Sequence, residues 1–264
     1  MKVNSYKKIE IKSPEPLITF STTGGGSWKE WDRFIELENK KAFHIGNICG
    51  TCNFFFKKLG GAVNRSNSKR LVEVLKADES RIDDNAIGEL SQLFESGDYL
   101  VVNATVKPKH VVPFGDDDYF SHEIIDIYGI TEFSGLPFFP DTTYYRCEDE
   151  TIDNETRRFN FIVPMIPDSW LDEETINYYS GKIAADEKPT CVALSVIDDK
   201  QASDWPDDVD HTRHLCIANY LIDGHHKLFA AAKLGKEINI LSFINLDRGV
   251  SLHENVLKAL GIPA

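Results

Sequence analysis

The feature that most constrains the fold of this chain is an abrupt change of pattern around Gly224. An apolar run over residues 215–222 predicts a buried strand, and an alanine-rich segment that predicts a helix begins directly after the glycine. A strand that passes into a helix in this way leaves free N–H groups at the helix N-terminus, where the helix dipole also favours an anion. The join therefore predicts a turn that can hold a phosphate group.

The side chains of this turn suit a phosphate site. Gly224 allows close approach of the backbone to a ligand, while His225, His226 and Lys227 supply imidazole and ammonium groups. Asp223 lies beside the predicted phosphate, where it could act as a general base toward a hydroxyl group or help to hold Mg²⁺. The alternative is structural: Asp223 caps an ordinary strand-to-helix turn, and the two histidines face solvent.

The elements around the turn strengthen the phosphate interpretation. Residues 157–246 read as strand, helix, strand, loop, strand, helix and strand, with Leu234-Gly235 closing the second helix. Together with the sequence Asp-Gly-His-His-Lys at the join, this order resembles the ParB/sulfiredoxin-like superfamily. The resemblance implies a nucleotide-binding domain and, in its Asp-Gly-His-His-Arg branch, a kinase-like activity that uses ATP or ADP with Mg²⁺. Lys227 stands in place of that arginine, so a point contact would replace a bidentate one.

Two departures from the family pattern limit the functions that the resemblance implies, and one further site residue has several candidates. Sulfiredoxin chemistry is not expected, because His225 occupies the place of the nucleophilic cysteine. DNA binding is not expected either, because the net charge is −13 and residues 155–264 contain 11 Lys and Arg against 17 Asp and Glu. The kinase-like branch also uses a carboxylate near the start of its domain, for which Asp172, Glu173 and Glu174 are candidates by position. Capping of a helix is the alternative role for these three residues.

A second group of reactive residues lies in the N-terminal part of the chain. His44, Cys49 and Cys52 could supply three ligands of a tetrahedral zinc site, with Cys147, His110 or His122 as the fourth. A redox role is a second interpretation, because a Cys-x-x-Cys spacing at a helix N-terminus lowers a thiol pKa. In a third interpretation, the two cysteines are small buried side chains and His44 lies on the surface.

Periodicity and turn residues predict the remaining elements. Helices are predicted from a capping box at Ser27 and Glu30, over residues 52–59, 68–76 and 85–95, from the cap Asp172 through Tyr179 with Gly181 ending it, and from Ser251 to Gly261. Strands are predicted over residues 99–106, 159–166, 190–197 and 238–244. The acidic residues 198–210, followed by His211 and His214, could bind a divalent metal ion or form a solvated loop.

These patterns predict an α+β protein with two parts. Residues 1–154 form an N-terminal α+β region of unknown fold, and residues 155–264 form a mixed α/β domain of the ParB/sulfiredoxin-like type. Five cysteines at low density, no secretory signal and no membrane-spanning run lead us to expect a cytoplasmic protein. We expect a nucleotide-binding protein, acting as an ATP- or ADP-dependent phosphotransferase on a small molecule, with neither a nucleic acid nor a membrane as partner. The alternative is a non-catalytic regulatory or protein-binding module with a structural zinc site.

Overall fold

The computed structural model describes residues 1–63, 84–123, 140, 142–201 and 213–262. The strands in these ranges are β1 Lys2–Ile11, β2 Ile18–Gly25, β3 Trp28–Leu37, β4 Lys40–Asn47, β5 Lys57–Lys58, β6 Gly97–Val106, β7 Lys109–Val111, β8 Tyr144–Arg146, β9 Glu150–Asp153, β10 Thr156–Pro164, β11 Thr190–Lys200, β12 Arg213–Asp223 and β13 Ile238–Asn245. The α-helices are α1 Asp84–Ser91, α2 Glu173–Ala184, α3 His225–Leu234 and α4 His253–Ala259. The presence of helices together with a large mixed sheet confirms the α+β class.

Two sheets organise the chain. The larger has the strand order β1-β6-β13-β11-β12-β10-β8-β7, with β9 paired to β10. Within it, β10 pairs with β12 in parallel and β11 with β13 in parallel, while the other pairings are antiparallel. The smaller sheet is an antiparallel array in the order β2-β3-β4-β5.

The two faces of the large sheet bury two different cores. Along β12, Cys216, Ala218 and Tyr220 belong to the cluster shared with the small sheet, whereas Leu215 and Ile217 belong to the cluster shared with α2, α3 and α4. This alternation follows the two-residue period of a strand. Because both faces are covered, β12 reads in sequence as a continuous apolar run, as predicted. Within the described ranges, no helix has the length and apolar character needed to cross a lipid bilayer.

Hydrogen bonding crosses the predicted boundary between residues 154 and 155. β1 and β6 extend the large sheet beyond β13, and β8 and β9 pair with β10. Strands of the N-terminal region and of the C-terminal domain therefore share one sheet. The resemblance over residues 157–246 covers the centre of that sheet and not the strands added at its edges.

Two of the helices predicted in the N-terminal region are wrong. Residues 28–37 form β3, and residues 52–59 form a loop followed by the short strand β5. In β3 the neighbouring side chains of Phe34 and Ile35 are both buried, because the strand has buried surface on both faces at this end. Apolar neighbours of this kind imitate the spacing of a helix, and pairing with β2 and β4 decides the outcome. The predicted helix over residues 68–76 lies outside the described residues.

The other elements predicted within the described residues are present, and three of the helices differ from their predicted boundaries. Asp172 caps α2 as expected, but the helix continues through Gly181 to Ala184. The N-cap of α4 is Leu252 and not Ser251, so the predicted capping box does not form. Helix α1 begins one residue before its predicted start and ends at Ser91, and the strands predicted at residues 99–106, 159–166, 190–197 and 238–244 are all present.

Candidate functional site

The turn between β12 and α3 has the backbone geometry that its sequence predicts. Gly224 is the N-cap of α3 and adopts a left-handed conformation, with φ 93° and ψ 21°. A Cβ atom at this position would lie 2.7 Å from Cys191 Sγ and 3.0 Å from Cys191 Cα. The Cys191 thiol also donates to the Gly224 carbonyl oxygen at 3.4 Å. A glycine is therefore needed both for the backbone conformation and for the close approach to β11.

Both histidines of the turn accept backbone hydrogen bonds. The Met165 N–H donates to His225 Nε2 at 3.0 Å, and the Asp172 N–H donates to His226 Nε2 at 3.0 Å. Because each Nε2 is an acceptor, each neutral ring carries its proton on Nδ1. Burial lowers the pKa of His225 to about 4, and burial also lowers the pKa of His226. The turn thus carries two neutral imidazoles that can donate from Nδ1.

Lys227 takes a different position from the one expected of a phosphate ligand. Its side chain is 3% exposed, and its Nζ donates to the Thr190 carbonyl oxygen at 3.0 Å and to Asp223 Oδ2 at 3.2 Å. The ammonium group also lies 5.7 Å from the centre of the Tyr179 ring. In this arrangement the positive charge orients the carboxylate of Asp223 from within the protein. The Asp223 side chain itself remains 28% exposed.

The loop between β10 and α2 contacts the turn through the two backbone hydrogen bonds to its histidines. Asp172, one of the three carboxylates considered for catalysis, accepts from the Thr175 N–H and from Thr175 Oγ1, both at 2.7 Å. These two bonds lower the pKa of Asp172. Its carboxylate therefore caps α2, as the structural alternative predicts, while its N–H group holds His226.

A histidine–carboxylate pair that sequence reasoning missed lies beside the same turn. His110 Nε2 is 2.9 Å from Asp168 Oδ2, and Thr143 Oγ1 donates to the same oxygen at 3.1 Å. The hydrogen bond from His110 is the main cause of a lowered pKa at Asp168. The His110 ring also contacts Phe229, one helical turn beyond His225 in α3. Residues 58 positions apart form this pair, so no local sequence pattern could have indicated it.

The predicted zinc ligands are brought together only in part. His44 Nε2 lies 3.1 Å from Asp32 Oδ1, and its ring stacks on Phe34. The Cys49 and Cys52 thiols are in hydrogen-bond contact; burial raises the Cys49 pKa, but the bonds from Cys52 and Thr51 outweigh it and the net shift is downward. Burial raises the pKa of Cys52 to about 11. Across the part of the chain that the structure describes, no three His, Cys, Asp or Glu side chains are grouped to hold a metal ion.

The acidic segment over residues 198–210 lies only partly within the described ranges. Asp198 and Asp199 belong to β11, where they pair with Arg33 and Arg213. His214 is buried in β12, and its Nδ1 lies 2.8 Å from the Tyr119 hydroxyl oxygen. These residues belong to the sheet and its packing, so they do not form the solvated loop that the sequence predicted. Residues 202–210 and His211 lie outside the described residues.

A cavity of 480 Å³ opens at the end of the sheet opposite to the β12–α3 turn. The carboxyl ends of β11 and β13 lead into it. β11 runs antiparallel to β12, which ends at the turn, and β13 runs parallel to β11. It is lined by residues of the small sheet, of the loop after β4, of the end of β11 and of the segment between β13 and α4, among them Phe20, Arg33, Gly50, Asp199 and Arg248. This cavity and the predicted phosphate site are therefore separate places in the molecule.

Comparison of the chain with family models, with curated proteins and with solved structures gave no match. The resemblance to the ParB/sulfiredoxin-like superfamily therefore remains a prediction from the residues of the turn and the order of the elements.

Proposed function

We propose that this protein binds a small phosphorylated ligand, a nucleotide such as ATP or ADP, at the β12–α3 turn. The observation that carries the proposal is the pair of backbone hydrogen bonds that the two histidines accept at Nε2. Since His225 and His226 both accept a backbone N–H at Nε2, both rings hold a donor hydrogen on Nδ1 at the N-terminus of a helix. Neutral N–H donors, helix amides and the helix dipole together favour a phosphate group.

The proposed chemistry is transfer of a phosphoryl group to a hydroxyl group of a small molecule. Asp223 would accept the proton of the attacking hydroxyl, because its carboxylate is partly exposed beside the turn. Lys227 is a positioning residue in this scheme, since its ammonium group orients Asp223 and is itself buried. Mg²⁺ in nucleotide sites needs only one or two carboxylates beside the phosphate oxygens, and Asp223 can supply one.

Calorimetric titration of ADP, ATP and CTP with Mg²⁺ tests the proposal. His226→Gln is the informative variant, because the glutamine oxygen can accept the Asp172 N–H as Nε2 does, while the Nδ1 donor is lost. We expect His226→Gln to weaken nucleotide binding by about tenfold or more, the loss of one hydrogen bond to a charged group. Lys227→Ala should weaken binding indirectly, because Asp223 loses the ammonium group that orients it. Lys233→Ala, at the exposed far end of the same helix, is the matched control and should bind as the wild type does.

A second candidate function, a non-catalytic module, is favoured by one specific observation. Lys227 and both histidines of the turn have hydrogen-bond partners within the protein, so all three side chains also serve to join β12, α3 and the preceding loop. Equal nucleotide affinity in the wild type and both variants, or no binding by any of them, would remove the phosphate site and leave this alternative. Metal analysis of the purified protein tests the zinc site of that alternative separately: near-stoichiometric zinc that is lost in Cys49→Ser would support it.

A further inference from the structure

The loop after β4 brings two cysteines to the ends of one tight turn. Gly50 and Thr51 form a hydrogen-bonded turn, so Cys49 and Cys52 occupy its first and last positions. The Cα atoms at these positions of a β-turn are less than about 7 Å apart. A disulfide requires a Cα separation of about 4.4 to 6.8 Å. The turn therefore brings the two cysteines close enough for a disulfide to join them.

The side chains of the pair are also placed for reaction. The side chains of Cys49 and Cys52 interact within the turn, and Cys49 Sγ lies 3.4 Å from Thr51 Oγ1. Both cysteines are partly exposed, whereas Cys147, Cys191 and Cys216 are buried. A small oxidant in solution can therefore reach this pair in preference to the other three cysteines.

Three hydrogen bonds fix the turn to its surroundings. The Cys49 N–H donates to Asn47 Oδ1 at 3.0 Å, and Lys200 Nζ donates to the Cys49 carbonyl oxygen at 2.9 Å. The Gln201 N–H donates to the Gly50 carbonyl oxygen at 2.8 Å. Lys200 is 1% exposed, so its ammonium group anchors the turn from inside the protein. None of these bonds uses a sulfur atom, and all of them can persist when the sulfurs are joined.

We propose that Cys49 and Cys52 form a reversible disulfide by exchange with a small disulfide of the glutathione class. The Cys49 thiolate attacks one sulfur of the oxidant, the oxidant's S–S bond breaks, and the first thiol is released. The Cys52 thiolate then attacks Cys49 Sγ in the mixed disulfide, and the second thiol leaves. Two cysteine thiols are oxidised and one disulfide is reduced to two thiols, so atoms and electrons balance.

The pair lies beside the cavity at the end of the sheet opposite to the β12–α3 turn. Ile48 and Gly50, on either side of Cys49, both line the 480 Å³ cavity. A bond between Cys49 and Cys52 would lock the turn that forms part of the cavity wall. The inference is independent of the proposed nucleotide site, which lies at the other end of the sheet.

The test is thiol–disulfide exchange of the full chain in buffers of oxidised and reduced glutathione, followed by acid quenching, alkylation and peptide mapping. In the wild type we expect a peptide in which Cys49 and Cys52 are linked, and its recovery as two thiols after return to reduced glutathione. In Cys52→Ser we expect a glutathione adduct to accumulate on Cys49, because the resolving thiol is absent. The buried-cysteine variant Cys147→Ser is the matched control and should form the same linked peptide as the wild type.

Other results would overturn the proposal. One is a wild-type chain that keeps both thiols free at every glutathione ratio, and another is a linkage that uses a buried cysteine instead. A third is one bound zinc ion per chain that blocks both thiols until a chelator removes it. Mapping of the wild type decides between these outcomes even when a serine variant folds poorly.

Discussion

Replacement of Gly224 by alanine tests whether the β12–α3 turn is built as the structure indicates. An alanine in the left-handed conformation costs about 1 to 2 kcal/mol. The added Cβ would also lie 2.7 Å from Cys191 Sγ and 3.0 Å from Cys191 Cα, and overpacking of this kind costs about a further 1 to 3 kcal/mol. We therefore expect Gly224→Ala to lower the free energy of unfolding by about 2 to 5 kcal/mol in total.

The other end of the same helix offers a matched control. Gly235 is also left-handed, at φ 61°, but a Cβ there would meet nothing within 4 Å. Gly235→Ala should therefore cost only the conformational part, about 1 to 2 kcal/mol, measured by urea unfolding at equal pH and salt. Removing the sulfur with Cys191→Ala should recover part of the loss in Gly224→Ala, because the contact with the Cys191 backbone stays. Equal losses for the two glycines would refute the argument that Gly224 is needed for its approach to β11.

Two further predictions concern buried charge. Burial lowers the pKa of His214 to about 3 and that of His225 to about 4, while an unfolded histidine titrates near about 6.5, so protonation favours the unfolded chain. The free energy of unfolding should hold above about pH 6.5 and fall as the pH drops toward about 4. Urea unfolding should show a shallower fall in His214→Asn than in His122→Asn, the control at an exposed site. Equal slopes in the two variants would contradict this prediction. Arg33→Met should cost about 3 to 5 kcal/mol, because it leaves the buried Asp198 carboxylate without its 2.5 Å partner. Lys109→Met breaks the exposed ion pair with Asp117 and should cost less than about 1 kcal/mol of unfolding free energy. Similar losses in the two variants would show that burial does not strengthen the pair of Arg33 and Asp198.

The sequence predicted the centre of the large sheet better than its edges or the small sheet. The runs that form β10, β11, β12 and β13 are buried on both faces, so burial and strand propensity agree along their whole length. Asn219 interrupts one of these runs without breaking the strand. Its amide donates to Asn160 Oδ1 and to the Phe161 carbonyl oxygen, and its oxygen accepts from the hydroxyls of a serine in β11 and a serine in β13. A polar residue whose hydrogen bonds are all made can stay inside a sheet.

The N-terminal region could not be predicted in the same way, because pairing between strands, and not the local sequence pattern, decides its structure. Residues 28–37 carry aromatic side chains at helical spacing, yet they lie between two strands that the chain supplies nearby. β1 pairs with β6 across more than eighty positions of sequence, and a local pattern contains no information about such a partner. The same reason explains why the pair of His110 and Asp168 was missed: each residue lies in a turn-rich segment, and only the fold brings them to 2.9 Å.

Two residues of the turn have a structural explanation, so their presence in the motif does not indicate a function. Gly224 is explained by its left-handed backbone and by Cys191, and Lys227 is explained by its bonds to Asp223 and Thr190. These residues would be required for folding even if no ligand bound. The Nδ1–H groups of His225 and His226 are different, because the backbone bonds at Nε2 set the tautomer and leave the Nδ1 donor to other uses. A variant that keeps the Nε2 acceptor and removes the Nδ1 donor therefore separates binding from folding, whereas substitution of the glycine or the lysine changes both at once.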